Sequence, residues 1–97
     1  MVLKKAKREF EIVLRHIRVM KAVMKHQPIG IFKLSELIGM PKHKVRYSLR
    51  VLEQSGIIEP TQHGAVIKEG ANLEELKKNF EEIKKIVKAI EEELKEI

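Results

Sequence analysis

Apolar side chains recur at Leu3, Ala6, Phe10, Val13, Ile17, Met20 and Met24, an unbroken run of three- and four-residue steps. That spacing puts them on one stripe of a 3.6-residue helix and predicts a long amphipathic helix over about residues 4–26. Gln27-Pro28 should end it, because the residue before a proline is pushed out of the α region. Pro28-Ile29-Gly30 is then a connector with room for a strand fragment at most.

A short second helix follows, with Gly30 as its N-cap, Ile31, Leu34, Leu37 and Ile38 as its apolar face, and Gly39 as its stop. Pro41 suits the first turn of a third helix, where a missing N–H is harmless, and Val45, Leu49 and Leu52 carry the period on to Gly56. Ile57–Thr61 and Ala65–Lys68 are β-prone runs around Gln62-His63-Gly64, which predicts a hairpin. Pro60 confines its strand to an edge.

From Asn72, an N-cap with Glu75 three residues on, the stripe Leu73, Leu76, Phe80, Ile83, Val87, Ile90, Leu94 and Ile97 predicts a last helix running to the C-terminus. Glu74/Lys78, Glu81/Lys85 and Glu91/Lys95 are spaced to form i,i+4 pairs along it.

Charge divides the chain in two. Residues 1–70 hold 14 basic and 6 acidic side chains, a net +8, whereas residues 71–97 hold 6 basic and 8 acidic, a net −2. A basic segment of this kind favours an anionic partner such as nucleic acid. Ninety-seven residues suffice for one domain, which argues against a multi-step enzyme. With no Cys and no Asp, most catalytic constellations cannot be assembled, so no enzyme activity and no cofactor are expected. The imidazoles His16, His26, His43 and His63 are not spaced as metal ligands. No apolar run reaches the roughly 18 residues of a membrane span. Lys4, Lys5, Lys7 and Arg8 do not lead into the apolar region of a signal peptide, so a cytoplasmic protein is expected. Heavy use of Glu and Lys is compatible with a thermophilic source.

The stretch Leu34–Ile58 resembles the helix-turn-helix of winged-helix transcription regulators of the arsenical-resistance and multiple-antibiotic-resistance repressor groups. Leu52-Glu53-Gln54-Ser55-Gly56-Ile57-Ile58 matches the ending of their second helix, and Gln62-His63-Gly64 stands at the tip of the wing. The resemblance covers about residues 10–68. It implies a mainly α fold with a small β-hairpin wing, a winged helix-turn-helix flanked by long N- and C-terminal helices. It further implies a DNA-binding domain, which with the extended first helix takes residues 1–70, while the apolar stripe and opposite net charge of residues 71–97 make that segment the expected dimerisation helix.

The residues support that expectation independently. If Val45, Leu49 and Leu52 point inward, then Lys42, His43, Arg46, Tyr47 and Arg50 face outward, with Lys44 toward one flank. Residues 42–50 carry four cations and no acid, and a helix of this kind, at about residues 41–55, fits a major groove. Arg46 is suited to guanine, Tyr47 to a thymine methyl or a phosphate, and Lys42, Lys44 and Arg50 to phosphates. Gln62 and His63 are wing contacts by resemblance; the alternative is a plain tight turn in which His63 adopts a positive φ.

The alternative for the whole domain is a protein-interaction module with a solvated basic face. RNA is a poorer partner, since Tyr47 is the only aromatic on that face. The expected partners are therefore double-stranded DNA and a second copy of the chain. Pairing would use Phe10, Leu73, Leu76, Phe80, Ile83, Val87, Ile90 and Leu94, unless the last helix folds back on the first as an intrachain hairpin. No effector pocket is expected in so small a core.

Overall fold

A computed structural model describes residues 1–97, ordered as α1 (Val2–His26), α2 (Ile31–Ile38), α3 (Lys42–Gln54), β1 (Ile58–Thr61), β2 (Gly64–Ile67) and α4 (Leu73–Leu94). The chain is mainly helical with one small antiparallel hairpin, as the periodicities require. No helix is long and apolar enough to cross a membrane.

Helix α1 starts two residues ahead of the expected position, since nothing in Val2-Leu3 opposes a helix. It stops at Gln27, whose ψ of 145° is the extended value that the following proline demands. The Gln27 side chain then accepts the Ile67 N–H at 2.8 Å, tying the end of α1 to β2. Gly30 caps α2 in an extended conformation, and Gly39 closes it at φ +70°, a left-handed geometry that costs a glycine nothing. The Gly39 and Met40 N–H groups both donate to Ser35 O, and the Ser35 hydroxyl donates to Met40 O. Pro41 lies one place earlier than expected, at the N-cap of α3 rather than inside it, with its carbonyl accepting the Lys44 and Val45 N–H groups.

The strands pair Ile58 with Ile67 through Thr61 with Gly64, so the loop is only Gln62-His63, and Gly64 belongs to β2. No residue but glycine has a positive φ, so His63 does not take the left-handed conformation; Gly64, at φ +124°, supplies it instead. Ile29 adds a bridge on the other edge of β2, exchanging hydrogen bonds with Ala65 at 3.1 and 2.8 Å. Because Ala65 gives both backbone groups to Ile29, Pro60 opposite it faces no ladder partner, and its missing N–H leaves no gap.

The core gathers Val19, Met20 and Val23 of α1, Leu34 of α2, Val45 and Leu52 of α3, and Ile29, Ile57, Ile58 and Ala65. Leu49 is half-buried, and Leu37 is exposed at the rim despite its place in the apolar pattern. Ser48, fully buried among these residues, is the core's one polar side chain.

Helix α4 begins with the Asn72 side chain accepting the Glu75 N–H at 2.9 Å, the N-cap that the sequence implies, while the Glu75 carboxylate accepts from the Asn72 side-chain amide at 3.3 Å. Only Leu73 and Leu76 pack against the core. Beyond them the helix projects. The radius of gyration is 15.8 Å and the extents are 54 × 29 × 20 Å, against roughly 12–13 Å for a globular chain of this length. No residue of α4 is buried, and Phe10 of α1 lines one open groove with Phe80, Ile83 and Val87 of α4. Along its exposed side Glu74 and Glu81 choose Lys77 and Lys84 at 3.6 and 3.3 Å, not the expected Lys78 and Lys85. Both spacings bring side chains together on a helix, and adjacent lysines offer each glutamate two partners. The Glu91–Lys95 pair forms at 3.9 Å, with Glu92 sharing the ammonium at 3.4 Å.

Candidate nucleic-acid interface

Helix α3 is oriented by what it buries. Val45, Ser48 and Leu52 face the core, one turn apart, so the opposite side of the helix must face solvent. Lys42, His43, Lys44, Arg46, Tyr47 and Arg50 are all exposed. No acid interrupts them before Glu53. Every ion pair in the chain lies on α4, so the cations of residues 1–70, α3 included, are not neutralised by carboxylates.

Neighbouring helices hold two of these side chains. On the α2 side, the Lys42 ammonium sits 4.0 Å above the ring of Phe32, which is 68% exposed. An aromatic left in water at that position orients the ammonium through its π face. On the α1 side, Tyr47 is flanked by the His16 ring, at 5.7 Å between centroids, and by the Arg15 guanidinium, 6.0 Å from the ring centre. His16 Nδ1 also lies 2.7 Å from Ser48 Oγ, which gives the buried hydroxyl its partner. Burial, and then the positive charge of Arg15, hold the His16 imidazole below its ordinary pKa. A neutral ring and a hydroxyl satisfy one another in either tautomer.

Arg15 itself forms no ion pair or hydrogen bond. Its Nε is enclosed without a partner, while the terminal nitrogens remain open beside Tyr47. Nothing in local spacing marks Arg15, His16 or Phe32 as neighbours of α3, because a helical period does not say which residues of α1 and α2 will border another helix. Ser48 did carry a signal: it stands three residues after Val45 and four before Leu52, on the apolar side, where a polar group requires a partner.

The hairpin tip is a fixed two-residue turn. Thr61 Oγ1 accepts the His63 N–H at 3.1 Å and donates to Gly64 O at 2.7 Å. Gln62 and His63 are exposed beyond it, with their side-chain nitrogens 3.2 Å apart. On α4, Phe80, Val87, Ile90 and Leu94 are 57, 48, 40 and 51% exposed. Phe10 is exposed as well, and Ile83 is half-buried. Leu73 and Leu76 are instead engaged with the chain's own core. No three of the His and Glu side chains converge as a metal site would require.

No protein-family model matches the chain, and no curated protein is found to match it.

Proposed function

We propose that this chain is a winged helix-turn-helix protein that binds double-stranded DNA as a dimer and regulates transcription, with α3 as recognition helix and the β1–β2 hairpin as wing. The observation that carries the reading is the outward face of α3, where Lys42, His43, Arg46, Tyr47 and Arg50 are exposed together, free of acids and of carboxylate partners. An ordinary solvated face mixes charges of both signs; this one is of a single sign and stands proud of the core.

In this reading Arg46 takes guanine O6 and N7, a fork that only a guanidinium matches, and Tyr47 meets a thymine methyl or a phosphate. Lys42, Lys44 and Arg50 neutralise phosphates, and Gln62 and His63 reach the backbone or the minor groove from the wing. The uncovered stripe of α4, with Phe10, pairs two copies. A two-fold dimer of this kind sets two recognition helices about 34–36 Å apart on a pseudo-palindromic site.

Fluorescence anisotropy with a mixed-sequence duplex tests the reading. If each subunit makes about four to five cationic contacts, the dimer should lose on the order of a thousandfold or more in affinity between about 50 and 200 mM salt. Absence of salt-sensitive binding at about 50 mM salt would overturn it, in favour of a domain that docks protein.

A further inference from the structure

The DNA-binding reading assigns the interface to α3 and the hairpin. Resting on that reading, we infer that the phosphate-binding surface continues onto α1, with Arg15 as a further contact to the DNA backbone and Tyr47 as the side chain that positions it.

Four observations carry this. Arg15 lacks any carboxylate partner although it is half-buried, and its Nε is enclosed without a hydrogen bond. Such an atom is rare in a folded chain, and here it belongs to a charged group whose remaining donors stay open to solvent. The guanidinium is held over a ring that itself lies on the exposed face of α3. The open donors are thereby fixed at the seam between α1 and α3, so little side-chain freedom is left to lose when a phosphate is gripped.

The surroundings fit a backbone track. Arg8 lies two turns before Arg15, a rotation of only about 20° around the helix, and Lys4 continues the same side one turn earlier. Both are exposed. Lys44, on α3, stands one turn before Ser48, on the side of the helix that meets α1 through His16 and Tyr47. Glu11, one turn before Arg15, is the one acid on this side of α1 and forms no ion pair with these cations, so positive charge predominates along a band running from α3 across Arg15 and onto α1. A row of positive charges beside a groove-reading helix is complementary to the phosphates that border that groove, and a planar guanidinium can grip one of them with two parallel hydrogen bonds.

Anisotropy titrations of a mixed-sequence duplex over a salt series provide the test, with wild type, Arg15→Gln, Arg15→Lys and Arg50→Gln, and with Lys78→Gln on α4 as a remote control. Arg15→Gln should weaken binding about tenfold or more at low salt and reduce the slope of log affinity against log salt by about two, the signature of one lost phosphate contact in each subunit of the dimer. Arg15→Lys should restore the slope, and Lys78→Gln should change neither quantity. Arg15→Met, which keeps the aliphatic stem against Tyr47, replaces Arg15→Gln if the glutamine disturbs folding by circular dichroism. If wild type and Arg50→Gln show the salt-dependent behaviour but neutralising Arg15 leaves affinity and slope at wild-type values, Arg15 merely packs α1 on α3 and the inference fails alone. If wild type shows no salt-sensitive binding, the DNA reading fails and takes the inference with it.

Discussion

His16 Nδ1 on α1 lies 2.7 Å from Ser48 Oγ on α3, the only side-chain hydrogen bond that joins two helices of this protein. Ser48 is fully buried, so its hydroxyl has no access to water. Replacing it with alanine removes the bond and leaves a half-buried ring nitrogen unpaired. Ser48→Ala should lower stability by about 1 kcal/mol, read in a thermal melt as a fall of roughly 4–8 °C. An unchanged melting temperature would show that the bond adds nothing over solvation.

The same ring makes stability depend on pH. His16 has a lowered pKa in the folded chain, through burial first and the Arg15 charge second, whereas the unfolded chain titrates near the ordinary value of 6.5. As pH falls through 6.5 the unfolded state takes up the proton before the folded state does, so stability decreases on acidification until the folded ring also protonates. Melting temperatures from about pH 7.5 down to 5.5 should therefore fall more steeply for wild type than for His16→Asn, whose amide can still bond Ser48 but does not titrate. Parallel curves for the two proteins would remove His16 as the source.

These cross-helix relationships were the part of the molecule that the sequence concealed. Three-and-four spacing sufficed to place α1 and α4, and the flanking glycines and prolines to place α2 and α3, because those signals depend on neighbours a turn away. The cap at Asn72 was legible for the same reason. What joins residue 16 to residue 48, or Ile29 to Ala65, is contact between segments far apart in the chain, and no local period encodes it. Likewise the apolar stripe of α4 was plain in the sequence while its exposure was not, since a period marks which side is apolar but not whether anything covers it. The exposed face of α3 could be read because it is the complement of a buried face; Arg15 and Phe32 could not, because they belong to other helices.

The two-residue hairpin depends on Gly64 for more than its left-handed φ. A Cβ there would fall 2.5–2.7 Å from the backbone of Ile29, a clash that the bridge to Ala65 cannot absorb by moving a side chain. At Gly39 a Cβ would meet nothing within 4 Å, so Gly39→Ala adds only the conformational cost of φ +70°, about 1–2 kcal/mol. Gly64→Ala should cost clearly more, and it should weaken amide-exchange protection at Ile29 and Ala65 before the helices are affected. Equal urea midpoints for the two variants would contradict this.

On the proposed interface, Arg46 and Arg50 should fail differently. Arg46→Ala removes the group assigned to base recognition, so it should cost about 1–3 kcal/mol on the preferred site and relax selection at one position per half-site. Arg50→Ala should weaken all duplexes alike and reduce the salt slope. Selection of bound sequences from a random duplex pool, run with each variant, separates the two. An unaltered preference with Arg46→Ala would move base reading to another side chain.

The role of α4 in pairing can be tested without disturbing the core, because past Leu76 the helix contributes nothing to it. Wild type should sediment at twice the 11.3 kDa chain mass, since an uncovered row of Phe80, Val87, Ile90 and Leu94 is unfavourable in water and a second copy offers the same surface. Val87→Glu with Ile90→Glu places two carboxylates in that row and should yield a monomer whose tertiary packing around Leu34 and Val45 is retained by near-ultraviolet circular dichroism and NMR. Because two half-sites bind as one linked event only in the dimer, the monomer should also lose about a hundredfold or more in affinity for a two-half-site duplex while a single half-site is bound as before. A wild-type chain that stays monomeric at tens of micromolar would remove pairing from the proposal and leave the α3 surface to bind DNA singly.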